Sequence, residues 1–133
     1  MQKDYLERFC REILANNQSI RFVGIANNLG SLIATVYRKG LVPLMTKEET
    51  SQYSIQAVLR AATREDFESK IGRLEYSIGK YEKLIRATVP IIFGNNETKR
   101  YYLLLSFDSD SDATSIIDKN VLLHIAKNKD HFI

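Results

Sequence analysis

The chain predicts an α+β fold: a five-stranded antiparallel sheet with helices on both faces, in the order α-β-β-α-β-β-β-α. Three observations predict it. Apolar residues recur at helical spacing near the start, after Thr46 and after Asp112. Two apolar runs flank a polar turn between residues 20 and 37. Three more strand-like runs lie between residues 74 and 107, two of them separated by the turn signal Gly94-Asn95-Asn96-Glu97.

Residues 3–16 read as an amphipathic helix. Tyr5, Leu6, Phe9, Ile13 and Leu14 share one face, and Lys3, Glu7, Arg8, Arg11 and Glu12 take the other positions. Asn16 and Asn17 suit its end, because asparagine tolerates the left-handed conformation of a C-cap. Ile20 to Ala26 is apolar on both faces, as a strand in the interior of a covered sheet would be. Asn27-Asn28-Leu29-Gly30 then turns the chain, with Gly30 free to take positive φ, and Leu32 to Tyr37 completes a hairpin. Arg38-Lys39-Gly40 ends it, and Pro43 argues against a central strand nearby.

Thr46 and Glu49 form a capping box at the head of the long helix. Ile55, Val58, Leu59 and Ala62 make an apolar seam along it, with the small residues Ala57 and Ala61 beside the seam. The pattern weakens after Thr63; Asp66 is placed to cap a short further turn holding Phe67 and Ile71, and Gly72 to stop it. Leu74, Tyr76 and Ile78 alternate with Glu75, Ser77 and Gly79, the pattern of an edge strand. Ile85, Ala87, Val89 and Ile91 alternate opposite Arg86 and Thr88, and Pro90 belongs at a bulge or where a ladder ends. Tyr101 to Phe107 is apolar on both faces through Leu105, so it belongs in the middle of the sheet. The acidic run Asp108 to Asp112 opens the last helix, whose inward face is Ala113, Ile116, Ile117, Val121, Leu122 and Ile125.

A length of 133 residues fits a single domain over 1–133 with a core of its own. The lone Cys10 forms no internal disulfide, which suits a reducing, cytoplasmic setting. No segment has the unbroken apolar stretch of a signal peptide or membrane span. A net charge of +3, with the signs mixed along the chain, argues against a nucleic-acid binder.

The candidate chemical groups each have a plainer reading. Asp108, Asp110 and Asp112 open like a calcium loop, but Ala113 stands where the loop needs glycine and Lys119 where it needs a bidentate glutamate. Helix capping accounts for the run. His124 and His131 lack further ligands at metal spacing and read as surface or end-of-helix residues. Cys10 reads as a small packed residue. Tyr101 and Tyr102 read as packing groups and not as a base-stacking platform. Arg38-Lys39 and Lys99-Arg100 form a basic patch only if their loops meet. No Walker loop or dinucleotide fingerprint is present. These readings give no catalytic residue, no cofactor and no metal. They leave one feature that points to a partner: a long helix with a narrow apolar seam, followed by an edge strand without proline. A second copy of the chain would cover both. The predicted interface is Ile55, Val58, Leu59 and Ala62 of the helix with Leu74, Tyr76 and Ile78 of the edge.

The element order resembles the Roadblock/LC7 superfamily, which is related to longin and profilin-like domains. The stretch VGIANNLGSLIATVY, Val23 to Tyr37, is similar to that family's opening hairpin, with Gly24 and Gly30 in the matching places. The segments IRFVGIANNLG and YEKLIRATVPI, with the helix after Thr46, are also similar to a small protein family of ammonia-oxidising archaea. The Roadblock resemblance implies a non-enzymatic homodimer built through the long helix and third strand, acting as an adaptor or regulator of a small GTPase or another switch protein. The chain departs from the pattern in its longer, apolar 38–45 loop and in the helix that extends or restarts through Phe67 and Ile71. The alternative is a ligand-sensing domain of the PAS or profilin-like kind, with a small-molecule cavity between sheet and helix.

Overall fold

In the computed structural model, which describes residues 2–92 and 100–131, the two strands that are apolar on both faces occupy the interior of one five-stranded antiparallel sheet. The strands are β1 (Ile20–Asn27), β2 (Leu32–Tyr37), β3 (Ser77–Lys80), β4 (Leu84–Ile91) and β5 (Tyr101–Asp108), in the spatial order β2-β1-β5-β4-β3. β1 and β5 pair along almost their whole length, Val23 opposite Leu105 and Asn27 opposite Tyr101. The edges are β2 and β3. The β3 ladder on β4 reaches only Thr88, so Pro90 stands where one of β4's two ladders has ended. The third strand is shorter than its alternation predicts: residues 73–76 are not paired, and only Ser77–Lys80 is strand. The turn signal at Gly94–Glu97 lies outside the described residues.

Side chains alternate across the sheet, and the two faces differ. One carries Val23, Ile25, Leu103, Leu105, Phe107, Ala87 and Val89. Against it pack α1 (Gln2–Leu14), through Leu6, Phe9, Cys10 and Ile13, and the C-terminal helices. These are α4 (Ala113–Ile116), a π turn (Ile117–Val121) and α5 (Leu122–Lys127), right-handed helical backbone throughout. Their buried residues Ala113, Ile117, Val121 and Ile125 recur every fourth position. That spacing drifts about 40° per step around a 3.6-residue helix. The wider π turn takes up the drift and keeps the stripe on the sheet. The Tyr5 hydroxyl donates to Asn128 Oδ1 at 2.9 Å and ties α1 to the C-terminal segment.

The other face carries Phe22, Ala26, Tyr102 and Leu104, covered by α2 (Lys47–Glu65) through Ala57, Val58 and Ala61. The capping box at its head is formed: the Thr46 hydroxyl accepts from the Glu49 amide at 3.1 Å, and Glu49 accepts from the Thr46 amide at 2.9 Å. Two expectations about helix ends are corrected. Among the described residues none other than glycine has positive φ, so neither Asn16 nor Asn17 makes a left-handed cap. Asn17 instead folds its side chain onto Ser19, accepting from the amide at 2.9 Å, a local turn that serves the same reversal. Asp66 ends α2 in helical conformation and does not cap the following turn, α3 (Glu68–Ile71). Phe67 and Ile71 of that segment are exposed. Gly72 stops it with φ +92°.

Candidate functional site

The position of α2 on its face sets the candidate site. Its sheet-facing stripe is Ser54, Ala57, Val58 and Ala61, spaced i, i+3, i+4, i+7. Small residues let the helix sit close. The Ser54 hydroxyl donates to the Gly30 carbonyl at 2.7 Å in a buried contact, docking the helix on the β1–β2 turn. Gly30 has φ +86°, and a Cβ there would lie 2.6 Å from Ile55 Cα. Both the turn and the close approach therefore require glycine.

The helix then has two flanks. Beside the β1–β2 turn lie Ile55 and Leu59, 53% and 67% exposed, with exposed Ala62 one turn further on and exposed Leu29 in the turn itself. On the opposite flank α2 stops short of β3 and the outer side of β4. A groove remains, lined by Tyr53, Arg60, Arg64, Ser77, Tyr81, Arg86 and Thr88 among others. The Arg86 guanidinium carbon lies 3.7 Å from the centre of the Tyr53 ring and 5.7 Å from that of Tyr81; Arg60 lies 5.8 Å from Tyr53. These are cation–π distances. Burial pushes the Tyr53 phenol above its ordinary value. A second cleft opens beneath the 38–45 loop, between Tyr37, Leu41, Pro43, Met45, Tyr53 and Leu104.

The predicted interface residues divide among these surfaces. Ile55, Leu59 and Ala62 share the outer α2 flank. Val58 is 4% exposed and belongs to the protomer's own core, because the buried stripe is rotated by one residue from the predicted seam. Leu74 is half-buried beneath α2, its amide donating to Glu68 Oε2 at 2.9 Å. Tyr76 packs at the rim of the opposite core and donates to Asp118 at 3.0 Å. Ile78, 38% exposed, stands on the β3 edge. The helix seam and the sheet edge are thus separated by the body of α2.

The other candidates resolve into structural roles. The capping reading of the acidic run is corrected at Asp108, which closes β5 and accepts from Arg38 at 2.9 and 3.1 Å and from Arg21 at 3.3 Å. The Arg38 hydrogen bonds hold its carboxyl below the ordinary value. Asp112 caps α4 by accepting from the Ser115 amide. Among the described residues no three His, Cys, Asp or Glu side chains group as metal ligands. The surface reading of His124 is corrected: its ring stacks at 4.9 Å on Phe9, with Nε2 3.2 Å from Glu12. The side chain of His131 lies outside the described part. Cys10 is fully buried, and desolvation pushes its thiol up to about 12. A thiol held there is protonated near neutrality, in keeping with a packed residue. Tyr102 is buried beneath α2, its hydroxyl donating to Glu65 at 3.0 Å, and burial with that bond pushes its phenol up to about 12. Arg100 pairs with the same Glu65. Arg38 and Arg100 lie at opposite ends of β5 and do not meet, while Lys99 lies outside the described residues. The arginine groove was not among the predicted sites, although Arg86 and Thr88 already marked one face of β4 as polar.

Comparison with solved structures places this architecture: the chain has the fold of Roadblock/LC7 domains. It superposes on an MglB described with a tetrameric arrangement at TM-score 0.75 and 11% identity, covering 98% of this chain and 89% of that one. The gliding protein MglB from Thermus thermophilus matches at TM-score 0.70 and 12% identity, covering 98% and 87%. A Roadblock/LC7 domain from Streptomyces avermitilis matches at TM-score 0.70 and 6% identity, covering 95% and 96%. No protein-family model matches the chain, and no curated protein matches its sequence. No helix among the described residues is long and apolar enough to cross a membrane.

Proposed function

We propose that the chain is a single-domain, non-enzymatic interaction module that self-associates and serves as an adaptor or regulator of a small GTPase or another switch protein in the cytoplasm. One observation carries the self-association: Ile55 and Leu59 stand exposed on one flank of α2, with Ala62 exposed on the same flank and Leu29 exposed in the β1–β2 turn. Apolar residues in a contiguous stripe on an otherwise charged helix favour a partner surface. A second copy presents the same stripe, and a two-fold axis lets α2 pack on α2. The β3 edge offers a further surface through its unpaired backbone and Ile78. Pairing edge to edge would draw the Arg60, Arg64 and Arg86 groups of two copies toward each other, so the helix flank is the stronger choice for the homodimer. The edge is then left for the switch protein. The fold shared with Roadblock/LC7 domains supports this reading.

Sedimentation velocity separates the surfaces. The wild-type chain is expected to be a dimer at micromolar concentration. Leu59→Asp is expected to weaken it by about tenfold or more, and Ile78→Lys to leave it unchanged. The reverse pattern assigns the dimer to the edge, and a wild-type monomer at high micromolar concentration overturns self-association. Affinity capture with added GTP or GDP then tests the switch-protein partner.

A ligand-sensing module is the second reading, favoured by the cleft beneath the 38–45 loop. A metabolite that binds there is expected to raise the melting temperature by linkage; no response across a broad panel removes this reading.

A further inference from the structure

We propose that the groove between α2 and the β3–β4 half of the sheet is a binding site for a phosphate-type oxyanion. Arg60, Arg64 and Arg86 all line it. No carboxylate among the described residues forms an ion pair with any of the three. The contrast within the molecule is direct: Arg21 and Arg38 share Asp108, and Arg100 has Glu65. Three guanidinium groups at one groove without a counter-charge among the described residues raise the local potential and draw an anion to it.

The hydrogen bonding points the same way. Arg86 Nε is shut off from water and has no acceptor among the described residues, and so is Ser77 Oγ on the neighbouring strand. A buried donor left without an acceptor is unfavourable, and a bound acceptor would relieve it. Arg86 Nη2 meets the Met45 sulfur at 2.6 Å, and a thioether is a weak acceptor. The ladder places Ser77 opposite Thr88 and Gly79 opposite Arg86, all on the α2 face. Gly79 presents no side chain, and the Tyr81 ring lies 3.6 Å from where its Cβ would be, so that ring bounds the groove in front of Arg86. An oxyanion seated on the exposed Arg60 and Arg64 reaches Ser77 by rotation of its hydroxyl. It reaches Arg86 by a small slide of the guanidinium between the Tyr53 and Tyr81 rings. Stacking on Tyr53 holds that group's plane, and its edge meets only the weak Met45 acceptor, which an anion would have to displace for a bidentate contact. Three guanidinium donors and hydroxyls, with no carboxylate in the lining, fit a doubly charged phosphate oxyanion better than a neutral ligand. This site does not depend on self-association.

The test is titration calorimetry with inorganic phosphate at constant ionic strength set by chloride, with amide shifts followed by NMR. Melting temperature is a poor readout, because phosphate stabilises folded proteins by exclusion from their surface. Saturable millimolar or tighter binding is expected, with shifts at Ser77, Gly79 and Tyr81. The double variant Arg60→Gln/Arg64→Gln changes exposed helix positions and keeps the fold; it is expected to bind about tenfold more weakly. Ser77→Ala is expected to weaken binding by a smaller factor. Citrate, titrated separately, is expected to bind more weakly than phosphate. No saturable heat with the wild-type chain, shifts away from the groove, unchanged affinity in the double variant, or tighter binding of citrate would each overturn the proposal.

Discussion

The two faces of the sheet use the same five strands for different ends. On the α1 face every interior strand contributes aliphatic or aromatic side chains, and α1 with the C-terminal helical segments closes over them. On the α2 face the buried apolar residues of the sheet lie on β1 and β5, with Leu32 and Tyr37 of β2 beside them. Toward β3 the face turns to Arg86, Thr88, Ser77 and Gly79, and the single covering helix leaves a cationic groove on one flank and an apolar stripe on the other. A sheet needs one sealed core to be stable. With that supplied by the α1 face, the second face is free to carry unpaired charge, a groove and exposed apolar residues, each of which would destabilise a closed core.

The contrast is tested most strongly at adjacent residues of β5. Leu104 and Leu105 are each 1% exposed but point to opposite faces. Leu105→Ala opens a cavity in the sealed core, expected to cost about 4 kcal/mol in denaturant unfolding. Leu104→Ala lies beside open grooves, where neighbours and water can relax, and is expected to cost about 2 kcal/mol. Equal losses would mean that the α2 face is packed as tightly as its opposite.

Next in size is the anchoring of α2. Gly30→Ala forces a Cβ against the Ile55 backbone at positive φ, for an expected loss of about 2–3 kcal/mol. Ser54→Ala removes one buried hydrogen bond and leaves the Gly30 carbonyl without that donor, for about 1–2 kcal/mol. Both are read by chemical denaturation. A neutral result at Gly30 would show that the turn and helix can separate without loss.

The fold was legible because its signals are local: the alternation of β4, the doubly apolar β1 and β5, the Thr46–Glu49 box and the Asn27–Gly30 turn each dictate geometry within a few residues. The site was less legible because it depends on rotation and on distant pairing. Ile55, Val58 and Leu59 fit a helical stripe equally well as core or as surface. The decision came from Ser54 and Ala61, small residues that let the helix press close, and a hydropathy pattern undervalues them. The groove was harder still. Arg60 and Arg64 look like ordinary solvated helix charges until β3 brings Ser77 alongside and the ladder sets Arg86 between two tyrosines. No local pattern states which arginines lack a partner; Arg38 and Arg86 are indistinguishable in sequence, yet one meets Asp108 and the other meets no carboxylate among the described residues.

That difference between paired and unpaired arginines yields the smallest and most discriminating effect, a dependence on pH. Arg38, and after it Arg21, holds the Asp108 carboxyl below its ordinary value, so the folded chain binds that proton less readily than the unfolded chain. Its stabilisation is therefore complete above the unfolded value, about pH 4, and is lost as pH falls through the folded one. Asp108→Asn is expected to be less stable than the wild-type chain at neutral pH, by under about 1 kcal/mol because the cluster is partly exposed and screened. The gap should close as the pH drops below about 4, and narrow in high salt. Neutralising Arg64 as Arg64→Gln removes a cation with no carboxylate partner among the described residues, so it is expected to leave the acid limb of the stability profile unchanged. A parallel change in both variants would show that the acid limb reports net charge, and that the Asp108 cluster is no more coupled to folding than the open groove.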